Sequence, residues 1–247
     1  MRRIYPDIQD TPDLVQAYAY PGDRPWLRVN MVASADGAAW LEGRSGGLSS
    51  KGDKRIFQTL RGLADVIVAG AATVRKEGYG PVPPRESWAG IRAGRPEVPP
   101  VAVITRSLAL DLDGALFTDA PSRTIVITCE AAPHDRRTEA AKRSDLIVAG
   151  DNDVDLRRAV AELHERGLTR VLCEGGPQIN AQLSARDLVD ELCLSISPVL
   201  LGGGAARILN GEPAQTTLAL SQVLEEEGVL FCKYTREQSH DRADDAT

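Results

Sequence analysis

The chain has few of the residues that mark metal, redox or membrane proteins. Its four cysteines are scattered over 247 residues and form no Cys-x-x-Cys pair, the spacing typical of zinc and thiol redox sites. No apolar run approaches the roughly 20 residues that a membrane span needs, and the first residues lack the apolar core of a signal peptide. We therefore expect a soluble, cytoplasmic protein that binds no metal and no membrane.

Aromatic side chains are also scarce, at 4% of the sequence against 43% for hydrophobic residues of all kinds. Aliphatic side chains must then dominate the core, and a chain of this length can bury a substantial one. The net charge of −6 argues against a partner such as nucleic acid, although a local basic pocket for one phosphate is compatible with it. The composition favours a small-molecule partner.

Strand-like and helix-like segments alternate along the chain, which predicts an α/β fold with a mostly parallel central sheet and helices on both faces. No repeat and no linker divides it. We expect an N-terminal extension over 1–25, a single domain over 26–236 and a disordered polar tail over 237–247. The predicted strands are 26–35, 65–70, 101–105, 123–128, 146–149, 170–173, 189–198 and 229–235, and the predicted helices are 51–62, 71–77, 154–166 and 177–186.

The most informative segment is 171–180, which reads Val-Leu-Cys-Glu-Gly-Gly-Pro-Gln-Ile-Asn. Gly175 and Gly176 let a ligand approach the backbone closely, and Pro177 suits the first turn of a helix. The free N–H groups of that turn form a site for an anion such as a diphosphate. Glu174 would lie beside the bound group. A plain strand-to-helix turn is the alternative interpretation.

Two further residues follow predicted strands, where ligands of such sheets bind. Thr73 begins a helix, and its hydroxyl would either donate to a phosphate or cap that helix. Arg106 lies just past a strand, where it would either pair with the extra phosphate on the adenosine ribose of NADPH or be a solvated loop arginine. These positions favour a dinucleotide site along one edge of the sheet.

The order of the motifs resembles the reductase domain of bacterial riboflavin biosynthesis, which shares the dihydrofolate reductase fold. The resemblance implies a homodimer that uses NADPH to reduce a ribosylaminopyrimidine 5′-phosphate, with hydride opening the ribose at C1 as a Schiff base. The matching segments are 33–37 (Ala-Ser-Ala-Asp-Gly), 60–61 (Leu-Arg), 64–75 (Ala-Asp-Val-Ile-Val-Ala-Gly-Ala-Ala-Thr-Val-Arg), 171–177, 189–192 (Val-Asp-Glu-Leu) and 198–203 (Pro-Val-Leu-Leu-Gly-Gly).

The same resemblance implies which residues line each half of the site. Ser45, Arg61 and Glu174 match substrate-binding positions, although Arg61 at a helix end also suits the helix dipole and Glu174 also suits the N–H groups of its own turn. With Arg106, the predicted cofactor-binding residues are Ala33, Gly47, Thr73, Glu77, Ser107, Gly175, Gly176, Pro177, Gln178, Ile179 and Asn180.

Two departures from the family leave the substrate open. The zinc deaminase signature that often accompanies this reductase has no counterpart here. The family follows its Thr-Val-Arg helix with Asp-Asp-Pro, an apolar residue and an arginine that help to hold the substrate and its phosphate. Here residues 77–85 read Glu-Gly-Tyr-Gly-Pro-Val-Pro-Pro-Arg, so Arg85, Arg92 or Arg95 would have to replace that arginine.

The third departure is Asp53, at a helix position that is not ordinarily acidic in the family. Dihydrofolate reductases carry an acid four residues before a phenylalanine, as Asp53 stands before Phe57. Such a catalytic carboxylate would hold the aminopyrimidine edge of a pterin and favour its protonation; alternatively, Asp53 is a first-turn acid favoured by the helix dipole. A dihydrofolate or pterin reductase is thus one alternative function, and an NADPH-binding module without catalysis is another.

Overall fold

The computed structural model describes residues 1–22 and 24–236. Within them, ten β-strands form one sheet in the spatial order β1-β9-β10-β8-β2-β7-β3-β4-β5-β6. The strands are β1 (Arg2–Tyr5), β2 (Trp26–Ser34), β3 (Val66–Gly70), β4 (Val101–Ile104), β5 (Ile125–Thr128), β6 (Asp145–Val148), β7 (Arg170–Cys173), β8 (Glu191–Ser197), β9 (Leu218–Glu226) and β10 (Val229–Arg236).

The sheet has a parallel part and an antiparallel part. From β6 through β5, β4, β3, β7 and β2 to β8, neighbouring strands are parallel. β10 pairs antiparallel with β8 and β9, and β1 pairs antiparallel with β9 at the sheet edge. The carboxyl ends of the parallel strands therefore meet at one edge, which is the edge where such sheets bind ligands.

Helices cover both faces of the parallel part. In β3, Ile67 and Ala69 pack in the core on one face with α2 (Lys51–Leu63) and α3 (Ala71–Glu77). Val66 and Val68 pack on the other face with α6 (Leu156–Glu165) and α7 (Pro177–Ala185). This period of two is expected of a strand buried on both sides. The predicted α/β fold with a mostly parallel sheet is confirmed. The helices are α1 (Leu14–Ala17), α2 (Lys51–Leu63), α3 (Ala71–Glu77), α4 (Ala115–Thr118), α5 (His134–Arg143), α6 (Leu156–Glu165) and α7 (Pro177–Ala185).

Sequence reasoning missed β1, β9, α1, α4 and α5, and two of these have weak apolar patterns. Helix α5 buries only Ala140, so it shows no apolar stripe. Strand β1 lies within the predicted N-terminal extension and is mostly exposed. The predicted tail, 237–247, lies outside the described residues. In the part of the chain that the structure describes, none of the helices has the length and apolar character to cross a membrane.

Candidate active site

A cavity of about 480 Å³ opens where β2, β3 and β7 end, between α2, α3 and α7. Its apolar wall includes Met31, Trp40 and Phe57, and its polar wall carries carboxylates, hydroxyls and two lysines. The structure thus brings together residues that lie far apart in the sequence. Of the residues predicted from sequence, Ser45, Asp53, Thr73, Glu77, Glu174, Gly176, Pro177, Gln178 and Ile179 line this cavity.

The two strand-to-helix turns at the cavity touch each other. The Gly70 N–H donates to the Gly175 carbonyl at 2.8 Å, and a Cβ placed on Gly176 would lie 2.4 Å from the Thr73 hydroxyl oxygen. Only glycine fits there. Gly176 caps α7 without a side-chain hydrogen bond, so the first N–H groups of that helix stay available to a ligand. The turn therefore fits the diphosphate of a dinucleotide.

Arg61 and Glu174 form a two-point ion pair at the cavity wall. The guanidinium Nε and Nη2 donate to the two carboxylate oxygens at 2.7 and 2.8 Å, and the Tyr79 hydroxyl donates to Glu174 Oε2 at 2.6 Å. Burial alone would lower the pKa of Arg61, but the adjacent Glu174 raises it above its ordinary value. The Arg61 guanidinium is also stacked 4.3 Å from the Phe57 ring centre. The carboxylate is thus held in one orientation.

Tyr79 is a site residue that sequence reasoning missed. Burial and the neighbouring Glu174 raise the pKa of its hydroxyl well above its ordinary value, so it remains a proton-bearing donor at neutral pH. Its signal in the sequence was its place in the altered 77–85 segment, where the family has Asp-Asp-Pro.

Asp53 lies in the first turn of α2 and reaches the cavity. Its backbone N–H donates to the Ser50 hydroxyl, which caps the helix, at 3.1 Å. One carboxylate oxygen accepts from the Ser49 hydroxyl at 2.5 Å and the other accepts from the Ser195 hydroxyl of β8 at 2.6 Å. The side chain is 8% exposed, and these two hydroxyls fix its orientation. Neither serine was predicted to act there.

The short turn Ser45–Gly47 closes one side of the cavity between α2 and α3. Glu77 at the end of α3 accepts from the Ser45 N–H at 3.0 Å, so the turn is fastened to that helix. Beside it, the Lys76 ammonium lies 4.0 Å from the centre of the Trp40 ring. Lys54, Lys76 and Trp40 all line the cavity and were not predicted from the sequence.

The other predicted site residues lie outside the cavity wall. Asn180 is buried, and its Nδ2 donates to the Ile208 carbonyl at 3.1 Å. Arg106 is exposed beyond β4, and its Nε donates to the Asn152 carbonyl at 2.9 Å. Arg61 lies behind Glu174 as described. The remaining residues outside the wall are Ala33, Gly47, Ser107 and Gly175.

The arginines of the 79–100 loop do not face the cavity. Arg92 donates to the carbonyls of Pro96, Gly62 and Ala64, and Arg95 donates to Leu63, Ile91 and Asp65. They therefore fasten the loop to the C-terminal end of α2, where unpaired carbonyls attract cations. The expectation that Arg92 or Arg95 holds a substrate phosphate is not met, because these donors are occupied. Arg85 lies 5.8 Å from the Trp88 ring centre instead.

Comparison with known proteins finds a matching family model and named relatives. The model of the RibD C-terminal domain family matches residues 25–229. The 2,5-diamino-6-ribosylamino-4(3H)-pyrimidinone 5′-phosphate reductase of Methanothermobacter thermautotrophicus is 31% identical over 186 residues, covering 75% of this chain and 83% of that protein. These matches confirm the resemblance inferred from the motifs.

Solved structures agree at the level of the fold. A pyrimidine reductase-like protein from Corynebacterium diphtheriae superposes with a TM-score of 0.81 at 28% identity, covering 92% of this chain and 100% of that one. The riboflavin biosynthesis reductase of Saccharomyces cerevisiae superposes with a TM-score of 0.66 at 18% identity, covering 90% of this chain and 94% of that one. The second likeness concerns the fold alone.

Proposed function

Because this chain belongs to the RibD C-terminal domain family, we propose that it is an NADPH-dependent reductase of a ribosylaminopyrimidine 5′-phosphate. Relatives named as reductases of such a compound match it over about three quarters of its length, 75% and 73% for two of them, so the chain is an oxidoreductase with a nicotinamide cofactor and a small-molecule substrate. The observation that carries the proposal is a single cavity that joins the open start of α7 to the Arg61–Glu174–Tyr79 cluster.

The cofactor half of the cavity is formed by α3 and α7. The N–H groups at the start of α7 hold the diphosphate, and Thr73 supplies a hydroxyl beside them. β4 lies next to β3, so Arg106 and Ser107, which follow β4, would hold the adenosine end of the cofactor. Arg106 uses only its Nε among the described residues, which leaves its Nη atoms for the 2′-phosphate that distinguishes NADPH from NADH.

The substrate half of the cavity is formed by Glu174, Tyr79, Asp53 and the turn Ser45–Gly47. When bound, reduced nicotinamide supplies a hydride to C1′ of the ring-opened Schiff base, whose C=N electron pair moves to nitrogen to give the ribitylamine. Arg61 and Tyr79 donate to the Glu174 carboxylate and fix its orientation. Its negative charge stabilises the protonated C=N group that accepts the hydride. Tyr79 and Arg61 act by positioning that carboxylate.

The proposed activity is tested by following NADPH oxidation by the purified chain with the ribosylaminopyrimidine 5′-phosphate. The expected result is oxidation that depends on both the protein and the pyrimidine. NADPH binding without oxidation for any pyrimidine or pterin would identify a binding module instead. Absence of NADPH binding at micromolar concentrations would overturn the proposal altogether.

A dihydrofolate or pterin reductase is a second candidate, favoured by two observations. Asp53 lines the cavity with its carboxylate fixed by two hydroxyls, as the aminopyrimidine edge of a pterin requires. Arg92 and Arg95, which were candidates for a substrate phosphate, are occupied elsewhere. Dihydrofolate is therefore the paired substrate in the same assay, and its turnover in place of the pyrimidine would favour this candidate.

We also propose that two copies pair through the antiparallel part of the sheet. Leu192, Leu194 and Ile196 of β8 lie beside Leu230 and Tyr234 of β10, and all five are half-buried in the single chain. Such an apolar sheet face is typical of a protein interface. Leu194→Glu should convert a dimer to a monomer in light scattering, while Ile8→Glu, at a site 75% exposed, should not. A monomeric wild type would refute the pairing.

A further inference from the structure

None of the described residues that line the cavity is an arginine. Arg61 is paired with Glu174, and Arg92 and Arg95 are bonded to backbone carbonyls. A phosphate carries up to two negative charges, and a buried or half-buried anion needs a cationic partner. The cation has to come from elsewhere in the cavity wall.

Two lysines of the wall are available. Lys54 on α2 and Lys76 on α3 both line the cavity, and among the described residues neither ammonium takes part in a hydrogen bond or an ion pair. We infer that Lys54 and Lys76 form the subsite for the 5′-phosphate of the substrate. The inference rests on the proposed function, since it assigns that substrate's phosphate to named residues.

The surroundings of the two lysines suit an anion. The turn Ser45–Gly47 lies between α2 and α3, and Ser45 lines the same cavity as the two lysines. The Ser45 hydroxyl can donate to a phosphate oxygen, as lysine does, whereas the Ser49 hydroxyl already donates to Asp53. The Trp40 ring holds the Lys76 ammonium 4.0 Å from its centre, which limits the conformations of that long side chain and lowers the entropy lost on binding.

The carboxylates in the same wall have hydrogen-bond donors other than the two lysines. Glu174 is paired with Arg61 at 2.7 Å, and Asp53 accepts from two serine hydroxyls. Glu77 accepts from the Ser45 N–H at 3.0 Å, and this hydrogen bond holds its carboxylate against the turn Ser45–Gly47. Lys54 and Lys76 are therefore the cations of the cavity wall that the substrate phosphate can reach.

The experiment compares the substrate with and without its 5′-phosphate, using wild type, Lys54→Ala, Lys76→Ala and the conservative Lys76→Arg. We expect each alanine variant to lower kcat/KM for the phosphorylated pyrimidine by about tenfold or more, chiefly through KM. The dephosphorylated compound should react at an unchanged rate, and Lys76→Arg should retain most of the preference. Lys51→Ala is the matched control, because Lys51 is an exposed lysine of α2 outside the wall.

Inorganic phosphate gives a second measurement, as a competitor of the phosphorylated pyrimidine. It should compete with the phosphorylated pyrimidine in wild type and in Lys51→Ala, and compete more weakly in the other alanine variants. Wild-type activity with the same phosphate preference in all variants would overturn the lysine assignment alone. No NADPH oxidation by the wild type with either compound would overturn the proposed function and this inference with it.

Discussion

The Arg61 guanidinium and the Glu174 carboxylate are joined by two hydrogen bonds at 2.7 and 2.8 Å, across 113 residues of sequence. The Arg61 side chain is 17% exposed and the Glu174 side chain 3%, so each charge depends on the other. The pair links the end of α2 to the turn that begins α7. It therefore connects the stability of the fold to the shape of the substrate half.

Replacing Glu174 with glutamine should weaken the fold. Arg61 would lose its counter-charge in a mostly buried position, and we expect the free energy of unfolding to fall by about 2–3 kcal/mol. Denaturant unfolding measures this. The control is Asp145→Asn, which breaks the exposed ion pair with Arg123, where both side chains are about half exposed at 50% and 52%, and should change stability by less than about 1 kcal/mol. Equal losses of unfolding free energy in the two variants would show that Arg61 does not depend on Glu174 as its counter-charge.

Gly176→Ala should impair cofactor binding. The added methyl group would lie 2.4 Å from the Thr73 hydroxyl oxygen, so the two turns that hold the diphosphate would have to separate. We expect the Kd for NADPH to rise by about tenfold or more, measured by calorimetry. Gly90→Ala is the control, because a Cβ there meets nothing within 4 Å. Unchanged NADPH affinity in Gly176→Ala would place the diphosphate elsewhere.

Asp53→Asn distinguishes the two candidate substrates. If Asp53 holds a pterin edge, its neutral replacement should lower dihydrofolate turnover by about a hundredfold or more and leave NADPH affinity nearly unchanged. The ribosylaminopyrimidine assay run in parallel shows whether the same carboxylate is used there. Asp10→Asn, a change at an exposed site, is the control. Dihydrofolate turnover that survives in Asp53→Asn would exclude the catalytic role of this residue in pterin reduction.

Arg106→Ala should reduce the preference for NADPH over NADH. The contact proposed for Arg106 is a charge-assisted hydrogen bond to the 2′-phosphate, so the Kd for NADPH should rise by about tenfold while that for NADH stays the same. Arg158→Ala on α6, also an exposed arginine, should change neither value. A parallel rise for both cofactors would argue against a contact with the 2′-phosphate.

Asp36 should make the end of β2 sensitive to acid. Hydrogen bonds from the Ser34 hydroxyl and from the N–H groups of Gly202 and Leu201 lower its pKa to about 2. Because the folded pKa lies below the unfolded value, its stabilising effect is present at neutral pH and is lost as the pH falls from about 4 toward 2. Acid unfolding curves should show this loss in wild type and lack it in Asp36→Asn. Identical pH profiles would refute it.

The sequence predicted the parts of the site that depend on local pattern. The glycine turn at Gly175 and Gly176 and the helix after it follow from a strand, two glycines and a proline in succession. The bond from Ser195 to Asp53 spans 142 residues and the one from Tyr79 to Glu174 spans 95. Such contacts depend on which strands become neighbours in the sheet, and local sequence patterns do not determine the order of the strands.

Arg92 is a residue for which the sequence suggested a role that the fold does not support. An arginine in a loop rich in proline and glycine looks free to hold a phosphate, but the fold places it against the last carbonyls of α2, those of Gly62 and Ala64. Burial in that position, together with the charge of the neighbouring Arg95, lowers the pKa of Arg92 to about 10. The role of a long cationic side chain is decided by the nearest acceptors, which the sequence alone does not locate.

The most direct test of hydride transfer in this cavity uses NADPH carrying deuterium on the transferring face of the nicotinamide. The purified chain is mixed with the ribosylaminopyrimidine 5′-phosphate, and the product is analysed by mass spectrometry and NMR. The proposed function predicts a ribitylamino product with a single deuterium at C1′. A product without that label, or labelled NADPH that is not consumed when the pyrimidine is present, would contradict it.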